Sequence, residues 1–209
     1  MGNFKAKAKA EERPPTNPIE KNRDSLVGGR LAQFWENWKD SCWAASVLKH
    51  GLGWRWSSIP PKSKPFLQSP SPQLLEFVNK ALKKGAVEVS KDIVRQNRLF
   101  DVPKKDTEER RVILDLKKLN LFIGCETFKM TTVAQVRKIL PKGGWAVSID
   151  LKDAYWHVPI AQKFRKFLGF KLGEESYRFK VMPFGLNIAP RMFTKLVNVV
   201  IKCLRQKNV

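Results

Sequence analysis

The sequence predicts an α+β protein in which antiparallel strands pack against helices. Several segments place apolar residues at helical spacing, and two pairs of short strands each flank a polar turn. The composition is 43% hydrophobic and 11% aromatic, which is sufficient for a core. A chain of 209 residues without an internal repeat therefore predicts one domain with a small appendage.

The net charge favours a polyanionic partner. The chain has 40 Lys and Arg against 19 Asp and Glu, a formal net charge of +21. Such an excess favours nucleic acid first and an anionic membrane second, beside a merely solvated basic surface. There is no apolar run of about 18 residues. The start "MGNFKA" resembles a myristoylation signal, but Ala6 stands where Ser or Thr is required, so we expect no membrane partner.

The cysteines predict reduced thiols in an intracellular protein, nuclear or cytoplasmic. Cys42, Cys125 and Cys203 lie far apart in sequence, without a Cys-x-x-Cys pair. With two histidines in the chain, the pattern does not indicate zinc.

Composition divides the chain into three parts. Residues 1–25 are basic and Pro-rich and predict a disordered tail. Residues 26–70 form a Trp-rich helical segment with a Pro/Ser linker, and residues 71–209 form the main unit. In the Trp-rich segment a helix begins near Arg30, and Gly51 ends a second helical piece. Its tryptophans favour packing over base stacking: Trp35, Trp38 and Trp43.

A helix and a hairpin open the main unit. Ser71 is placed as the helix N-cap, with Pro72 in the first turn and Gly85 as the stop. The predicted apolar face consists of Leu74, Leu75, Val78 and Leu82. Strands near Leu99–Val102 and Val112–Leu116 then flank a charged turn. Its cations make it either a solvated hairpin or a flap that grips phosphates: Lys104, Lys105, Arg110 and Arg111.

The remaining pattern predicts further helices and strands. A short helix has Thr131 or Thr132 as its cap and ends before the break at Gly143-Gly144. An apolar strand then covers 145–149. Two more strands flank a Gly-Glu-Glu turn, with Tyr177, Phe179 and Val181 alternating with Arg178 and Lys180. After a Pro/Gly-bounded loop, an amphipathic helix has an apolar face formed by Phe193, Leu196, Val197, Val200, Ile201 and Leu204.

The placement of Asp150 indicates a metal site. It ends the predicted strand 145–149, and a carboxylate facing a basic groove suits Mg²⁺, which prefers oxygen ligands and retains substrate phosphates. Two-metal phosphoryl transfer needs at least two such carboxylates. Asp153 is either a second ligand or a cap for the following turn.

Three stretches together resemble a known family. "SIDLKDAYWHVPI" resembles motif A of retroelement reverse transcriptases, "VPKKDTEERRVILDLKKLN" resembles their fingers hairpin, and "YRFKVMPFGLNIAPRMFTKL" resembles motif B. Their order and spacing, over about residues 85–207, make the resemblance specific. The sequence motifs "VGGRL…W" and "PFGL…APRMFTK" are most similar to those of the DIRS type of retrotransposon.

The resemblance implies the fingers and an incomplete palm of a right-hand polymerase that copies an RNA or DNA template-primer from dNTPs. It assigns Mg²⁺ to Asp150 and the backbone carbonyl of Leu151. Tyr155 is the aromatic wall that excludes a 2′-hydroxyl, and Asp115 an acidic position at the hairpin base. The implied dNTP-binding residues are Lys104 (with Lys105 as the alternative), Arg111, Asp153, Ala154, Tyr155, Phe184 and Gly185. The implied template/primer-binding residues are Lys105, Arg110, Leu186, Asn187 and Pro190. Other retroelement proteins are further partners.

The sequence departs from the family at the second metal-binding position. The family carries a Tyr-x-Asp-Asp hairpin after motif B, and this sequence has no Asp after Asp153. Glu174 and Glu175 lie in a predicted turn, where solvation is the commoner role. We therefore expect that these 209 residues alone do not polymerise DNA. Three interpretations remain open: a piece of a longer reverse transcriptase, a non-catalytic nucleic-acid-binding remnant, or a protein-interaction module built on the Trp-rich segment.

Overall fold

Helices and antiparallel strands alternate along the chain. A computed structural model describes residues 27–39, 41–64, 66–103, 110–139, 143 and 149–206. The α-helices are α1 (Cys42–His50), α2 (Pro72–Lys83), α3 (Lys117–Asn120), α4 (Val133–Ile139), α5 (Gln162–Arg165) and α6 (Ala189–Gln206). The strands are β1 (Val87–Val89), β2 (Arg98–Pro103), β3 (Arg110–Asp115), β4 (Gly169–Leu172) and β5 (Glu175–Phe179). Among the described residues, 3₁₀ helices cover Arg30–Trp38 and Ala154–His157.

The strands form two separate antiparallel sheets. β1, β5 and β4 lie in that order, with Val87 opposite Phe179 and Gly169 opposite Arg178. β2 pairs only with β3, with Leu99 opposite Leu114. Both predicted strand pairs are therefore confirmed. The turn between β2 and β3, residues 104–109, lies outside the described residues.

Helix α2 begins and ends as its sequence predicts. The Ser71 hydroxyl accepts a hydrogen bond from the Leu74 amide at 3.3 Å, and Pro72 occupies the first turn. Gly85 follows the helix with a φ of 67°. The predicted apolar face is wrong at Leu75, which is 46% exposed. The buried stripe is Leu74, Val78 and Ala81, because residues four and three apart share a helix face.

The Trp-rich segment is helical but irregular. Its first piece is a 3₁₀ helix broken at Phe34, and α1 follows after Ser41 and ends at Gly51 as predicted. Trp35, Trp38 and Trp43 pack against the core, which confirms the packing interpretation.

One hydrophobic core joins the Trp-rich segment to the later chain. Leu52 donates its amide to the Pro159 carbonyl at 2.7 Å and accepts from the Ala161 amide at 3.0 Å. The Gln68 side chain likewise bonds both backbone groups of Leu99, at 2.6 and 3.0 Å. Residues 52 and 68 therefore lie directly against the main unit, and the division at residue 70 stays a prediction.

The predicted strand 145–149 lies almost entirely outside the described residues and stays a prediction. Residues 145–148 lie outside the described residues, whereas Ile149 is outside any strand and 81% exposed. The predicted helix 131–142 appears as α4, and residues 140–142 are likewise not described.

The predicted alternation in β5 is wrong at Arg178, which is 8% exposed. Because β5 is the central strand, β1 and the loop after it cover this side chain. Its guanidinium bonds Glu88 at 2.8 Å and Asp92 at 2.9 Å, so the buried charge is compensated.

Helix α6 begins at Ala189, four residues before Phe193, the first residue of the predicted apolar face. Pro190 lies in its first turn. Ala189 and Leu196 are buried, but Val200 and Leu204 are 42% and 43% exposed. The predicted apolar face is therefore covered only at its N-terminal half. Across the described ranges, no helix has both the length and the apolar composition needed to traverse a bilayer. Cys42, Cys125 and Cys203 are free thiols.

Candidate active site and basic groove

The Asp153 turn carries the central aromatic side chain. Asp153 has a φ of 53°, the left-handed region, and it precedes the 3₁₀ helix Ala154–His157. Left-handed backbone costs a non-glycine residue about 1–2 kcal/mol. The Asp153 side chain makes no capping hydrogen bond, so the capping alternative is wrong. Its carboxylate instead forms an ion pair with the Lys84 ammonium.

Tyr155 lies between two aromatic rings from the motif B segment. Its ring centroid is 5.0 Å from that of Phe184 and 5.4 Å from that of Phe193, the latter nearly edge-on. Burial of the phenol raises the pKa of Tyr155 above its ordinary value. The ring is therefore held on two sides as a rigid apolar wall.

The loop over residues 184–187 rests on the β2–β3 hairpin. Gly185 has a φ of 98°, and a Cβ there would lie 2.7 Å from the Leu114 carbonyl oxygen. The Asn120 amide donates to the Gly185 carbonyl at 2.8 Å, and its oxygen accepts from the Asn187 backbone amide at 3.1 Å. Sequence reasoning missed Asn120. Its only local signal is a polar residue at the end of the short segment "KKLN".

The loop residues differ in what they present. The Phe184 side chain is 37% exposed, whereas that of Leu186 is 2% exposed and belongs to the core. Any contact of Leu186 with a template would therefore be made through its backbone. Pro190 is partly exposed at the start of α6, and Ala154 is partly buried.

Asp150 stands alone as a candidate metal ligand. Asp150 is exposed, and Leu151 beside it is 53% exposed. Within the described part of the chain, no group of three or more His, Cys, Asp or Glu side chains is placed to hold a metal ion. The Asp115 carboxylate accepts from the Lys117 amide at 3.0 Å and so organises a local turn.

The hairpin cations are only partly described. Arg110 forms an ion pair with Asp101 across the hairpin. Arg111 is exposed and lies opposite Val102. Lys104 and Lys105 lie outside the described residues.

A basic groove that sequence reasoning missed lies beside the hairpin. Its volume is about 600 Å³.

 A second groove has a volume of about 840 Å³, and Trp54, Phe164 and Arg191 help to line it. The basic groove takes its walls from residues 61–64, 66 and 95–98. Its charged side chains are the cations Lys62, Lys64, Arg95, Arg98 and Lys118 and one carboxylate, Asp115.

Arg95 is the most buried cation of this groove, at 7% exposure. One guanidinium nitrogen donates to the Pro61 carbonyl at 3.2 Å, and the group lies 5.7 Å from the Phe122 ring. Its Nε is buried and has no hydrogen-bond partner among the described residues. Burial lowers the pKa of Arg95, although an arginine remains charged at neutral pH. A buried guanidinium with an unused donor, among other cations, favours a phosphate as the missing partner.

Comparison with known proteins agrees with the three motifs. Residues 102–209 match the family described as "Reverse transcriptase (RNA-dependent DNA polymerase)". The chain is similar to the Transposon Tf2-7 polyprotein of Schizosaccharomyces pombe, 25% identical over 151 residues, and to the Transposon Tf2-3 polyprotein of the same organism, 24% identical over 151 residues. The match covers 72% of this chain but only 11% of each polyprotein.

Proposed function

Because the chain belongs to the reverse transcriptase family, we propose that it forms the fingers and the first part of the palm of a right-hand polymerase. In this proposal it is the part of a retrotransposon reverse transcriptase that selects deoxynucleotides and binds the template during RNA-directed DNA synthesis. The family match over residues 102–209 supports the reaction class. The similarity to Tf2 polyproteins supports a retrotransposon setting.

The convergence of three motifs around one loop carries this proposal. Gly185 approaches the backbone of Leu114 in the hairpin, while the neighbouring Phe184 contacts the ring of Tyr155. Residues far apart in sequence therefore meet, which supports a shared nucleotide site of the kind that the resemblance implies.

The nucleotide would be held by complementary groups. The Tyr155 ring forms the wall against which a 2′-hydroxyl collides, and Phe184 supports that wall. Arg111, together with Lys104 or Lys105, neutralises the triphosphate through charge-assisted hydrogen bonds. Asp153 and Ala154 shape the tight left-handed turn that brings Tyr155 beneath the sugar.

The metal site is only partly supplied by the described residues. Asp150 and the Leu151 carbonyl are oxygen donors of the type that Mg²⁺ prefers, and both belong to exposed residues. One carboxylate does not hold two cations close together, so further ligands must come from other carboxylates and the substrate phosphates. When bound, Mg²⁺ supplies charge neutralisation for phosphoryl transfer.

The template is proposed to lie along the loop and the basic groove. Asn187 and Pro190 lie at the loop end, and Leu186 contributes its backbone. Arg110 and Lys105 belong to the hairpin, and the groove adds five cations beside it. Cations of this number favour binding that weakens steeply as salt rises.

A primer-extension assay tests the catalytic part of the proposal. The purified chain is given an RNA template, a DNA primer, dNTPs and Mg²⁺, with Asp150→Ala in parallel. We expect no extension by either protein, because Asp150 alone does not complete the metal site. Extension that is lost in Asp150→Ala would show that the 209 residues hold a complete site and would contradict this expectation.

A binding assay tests the template part. Fluorescence anisotropy with a labelled single-stranded RNA is measured over a series of salt concentrations for Arg98→Gln and for the control Lys202→Gln on α6. Each lost phosphate contact reduces the slope of log K against log salt by about 0.7 for a single strand. We expect that reduction for Arg98→Gln and an unchanged slope for Lys202→Gln. Equal slopes in both variants would remove the groove from the proposed template path.

Four finer assignments are also proposed. The DIRS type is proposed from "VGGRL" and "PFGL…APRMFTK". The division at residues 25 and 70 is proposed from composition. An intracellular location, nuclear or cytoplasmic, is proposed from the free thiols. Other retroelement proteins are proposed as partners from the polyprotein similarity.

A further inference from the structure

The Val27–Gly29 turn connects the two segments that carry the Lys84–Asp153 ion pair. The Gly28 amide donates to the Lys84 carbonyl at 2.7 Å, and the next amide, that of Gly29, donates to the Trp156 carbonyl at 2.8 Å. Lys84 is the C-cap of α2, and Trp156 lies in the 3₁₀ helix with Tyr155. Successive backbone donors therefore tie the end of α2 to the Tyr155 turn.

Both glycines are required by the geometry of this contact. A Cβ on Gly28 would lie 2.1 Å from the Gly85 carbonyl oxygen and 2.7 Å from the Ala86 nitrogen. Both are backbone atoms, so the clash could be relieved only by a shift of the main chain. Gly29 has a φ of 70°, which a larger residue adopts only with strain. Only a Gly-Gly pair brings the N-terminal chain this close without displacing its neighbours.

The ion pair holds the same turn from its other side. The Lys84 side chain is 9% exposed and that of Asp153 is 24% exposed, so neither charge is fully solvated. The Lys84 ammonium also lies 6.0 Å from the Trp156 ring centroid. A largely buried ammonium needs a partner, and Asp153 meets that need while it keeps its left-handed backbone.

We propose that Gly28, Gly29 and Lys84 are positioning residues that brace the Asp153–Trp156 turn and so place the Tyr155 ring against Phe184 and Phe193. The effect on nucleotide choice rests on the proposed function. If Tyr155 is the wall beneath the sugar, the brace determines where the wall stands and thereby the preference for deoxynucleotides. The brace itself is a property of the folded chain and needs neither nucleotide nor metal.

Fluorine NMR of a single tyrosine tests the brace. The chain has two tyrosines, so a Tyr177→Phe background labelled with 3-fluorotyrosine reports only Tyr155. In that background Lys84→Met is compared with Lys83→Met, an exposed neighbour on α2, and with Lys84→Arg, which keeps the charge. We expect Lys84→Met to move the resonance toward that of free 3-fluorotyrosine, whereas Lys83→Met and Lys84→Arg leave it in place.

Thermal unfolding measured on the same samples separates positioning from stability. If Lys84→Met lowers Tm but leaves the fluorine resonance unchanged, Lys84 has only a structural role and the proposal is wrong. An unchanged resonance at unchanged Tm overturns it as well. Gly28→Ala is expected to move the resonance in the same direction, and the Lys84 variants decide the matter if Gly28→Ala does not fold.

The test is also independent of the proposed function. The spectra are recorded without nucleotide, RNA or Mg²⁺. The resonance of Tyr155 therefore tests the brace even if the chain binds no nucleic acid. Conversely, an unmoved resonance leaves the anisotropy and primer-extension results intact.

Discussion

The Tyr155 side and the Asp150 side of the candidate site differ in how completely the described residues build them. Tyr155 is enclosed by two aromatic rings, and its turn is tied to α2 and to the N-terminal turn. Asp150, only five residues earlier, is exposed and belongs to no cluster of metal-binding side chains in the described ranges. The aromatic wall around Tyr155 is thus assembled, whereas the candidate metal site has one carboxylate among the described residues.

This difference follows from the kinds of interaction that each side uses. An aromatic wall is built by packing, which the described residues supply from several elements. A two-metal site needs several carboxylates whose mutual repulsion is offset only by the cations. The variants below test this contrast, from the largest expected effect to the smallest.

Trp156→Ala should cause the largest loss, because Trp156 is 5% exposed beneath the Tyr155 turn. Removing a buried tryptophan side chain costs about 3–5 kcal/mol in the free energy of unfolding. Urea denaturation measures this value. Trp156→Phe is the matched control: it keeps an aromatic ring and removes an indole nitrogen that has no described partner, so its loss should be smaller. Equal losses would mean that packing under the turn does not determine its stability.

Gly185→Ala should lower the free energy of unfolding by less than Trp156→Ala. It should act at the contact between the 184–187 loop and the β2–β3 hairpin. A positive φ is strained for alanine by about 1–3 kcal/mol, and the Cβ would also approach the Leu114 oxygen. Gly173→Ala is the control, since it has a φ of 61° in open space and should cost about 1 kcal/mol. Denaturation midpoints compare the two. A smaller loss at Gly185 than at Gly173 would show that the loop moves away freely.

Tyr155 should titrate above its ordinary range. Because burial disfavours the phenolate, the pKa of Tyr155 is raised in the folded state. The stability linked to this group is therefore fully present below about pH 10 and is lost as pH rises through the folded pKa. Absorbance at the tyrosinate band of Tyr177→Phe protein measures the midpoint. A midpoint equal to that of free tyrosine would contradict the enclosed wall.

Asp150→Ala should have the smallest effect on stability. An exposed side chain outside any network changes the free energy of unfolding by about 0.5 kcal/mol or less. Chemical denaturation with and without Mg²⁺ provides the measurement. A large loss, or a Mg²⁺-dependent stabilisation that Asp150→Ala abolishes, would show that Asp150 already belongs to a formed metal site.

Local signals predicted much of the fold. The cap at Ser71, the stop at Gly85 and the hairpin β2–β3 depend on neighbours within a few residues, and each appears as expected. The motif resemblance assigned both Tyr155 and Phe184 to the nucleotide, and the two rings lie 5.0 Å apart; the assigned roles stay predictions.

Long-range contacts explain the misses. Arg178 was expected to face solvent, but β1 and its following loop cover it. Asn120 and Arg95 were overlooked, because their partners are 65 and 34 residues away in sequence. No spacing rule connects such distant residues.

By itself, the sequence determined the alternation of helices and strands, the basic charge and the order of the three motifs. These depend on side-chain periodicity, on turn residues and on composition, which are properties of neighbours in the chain. The tertiary structure alone decided that Gly28, Gly29 and Lys84 meet the Tyr155 turn, and that five cations line one groove. The physical reason is that burial, ion pairing and close backbone approach arise only when distant segments share a common core.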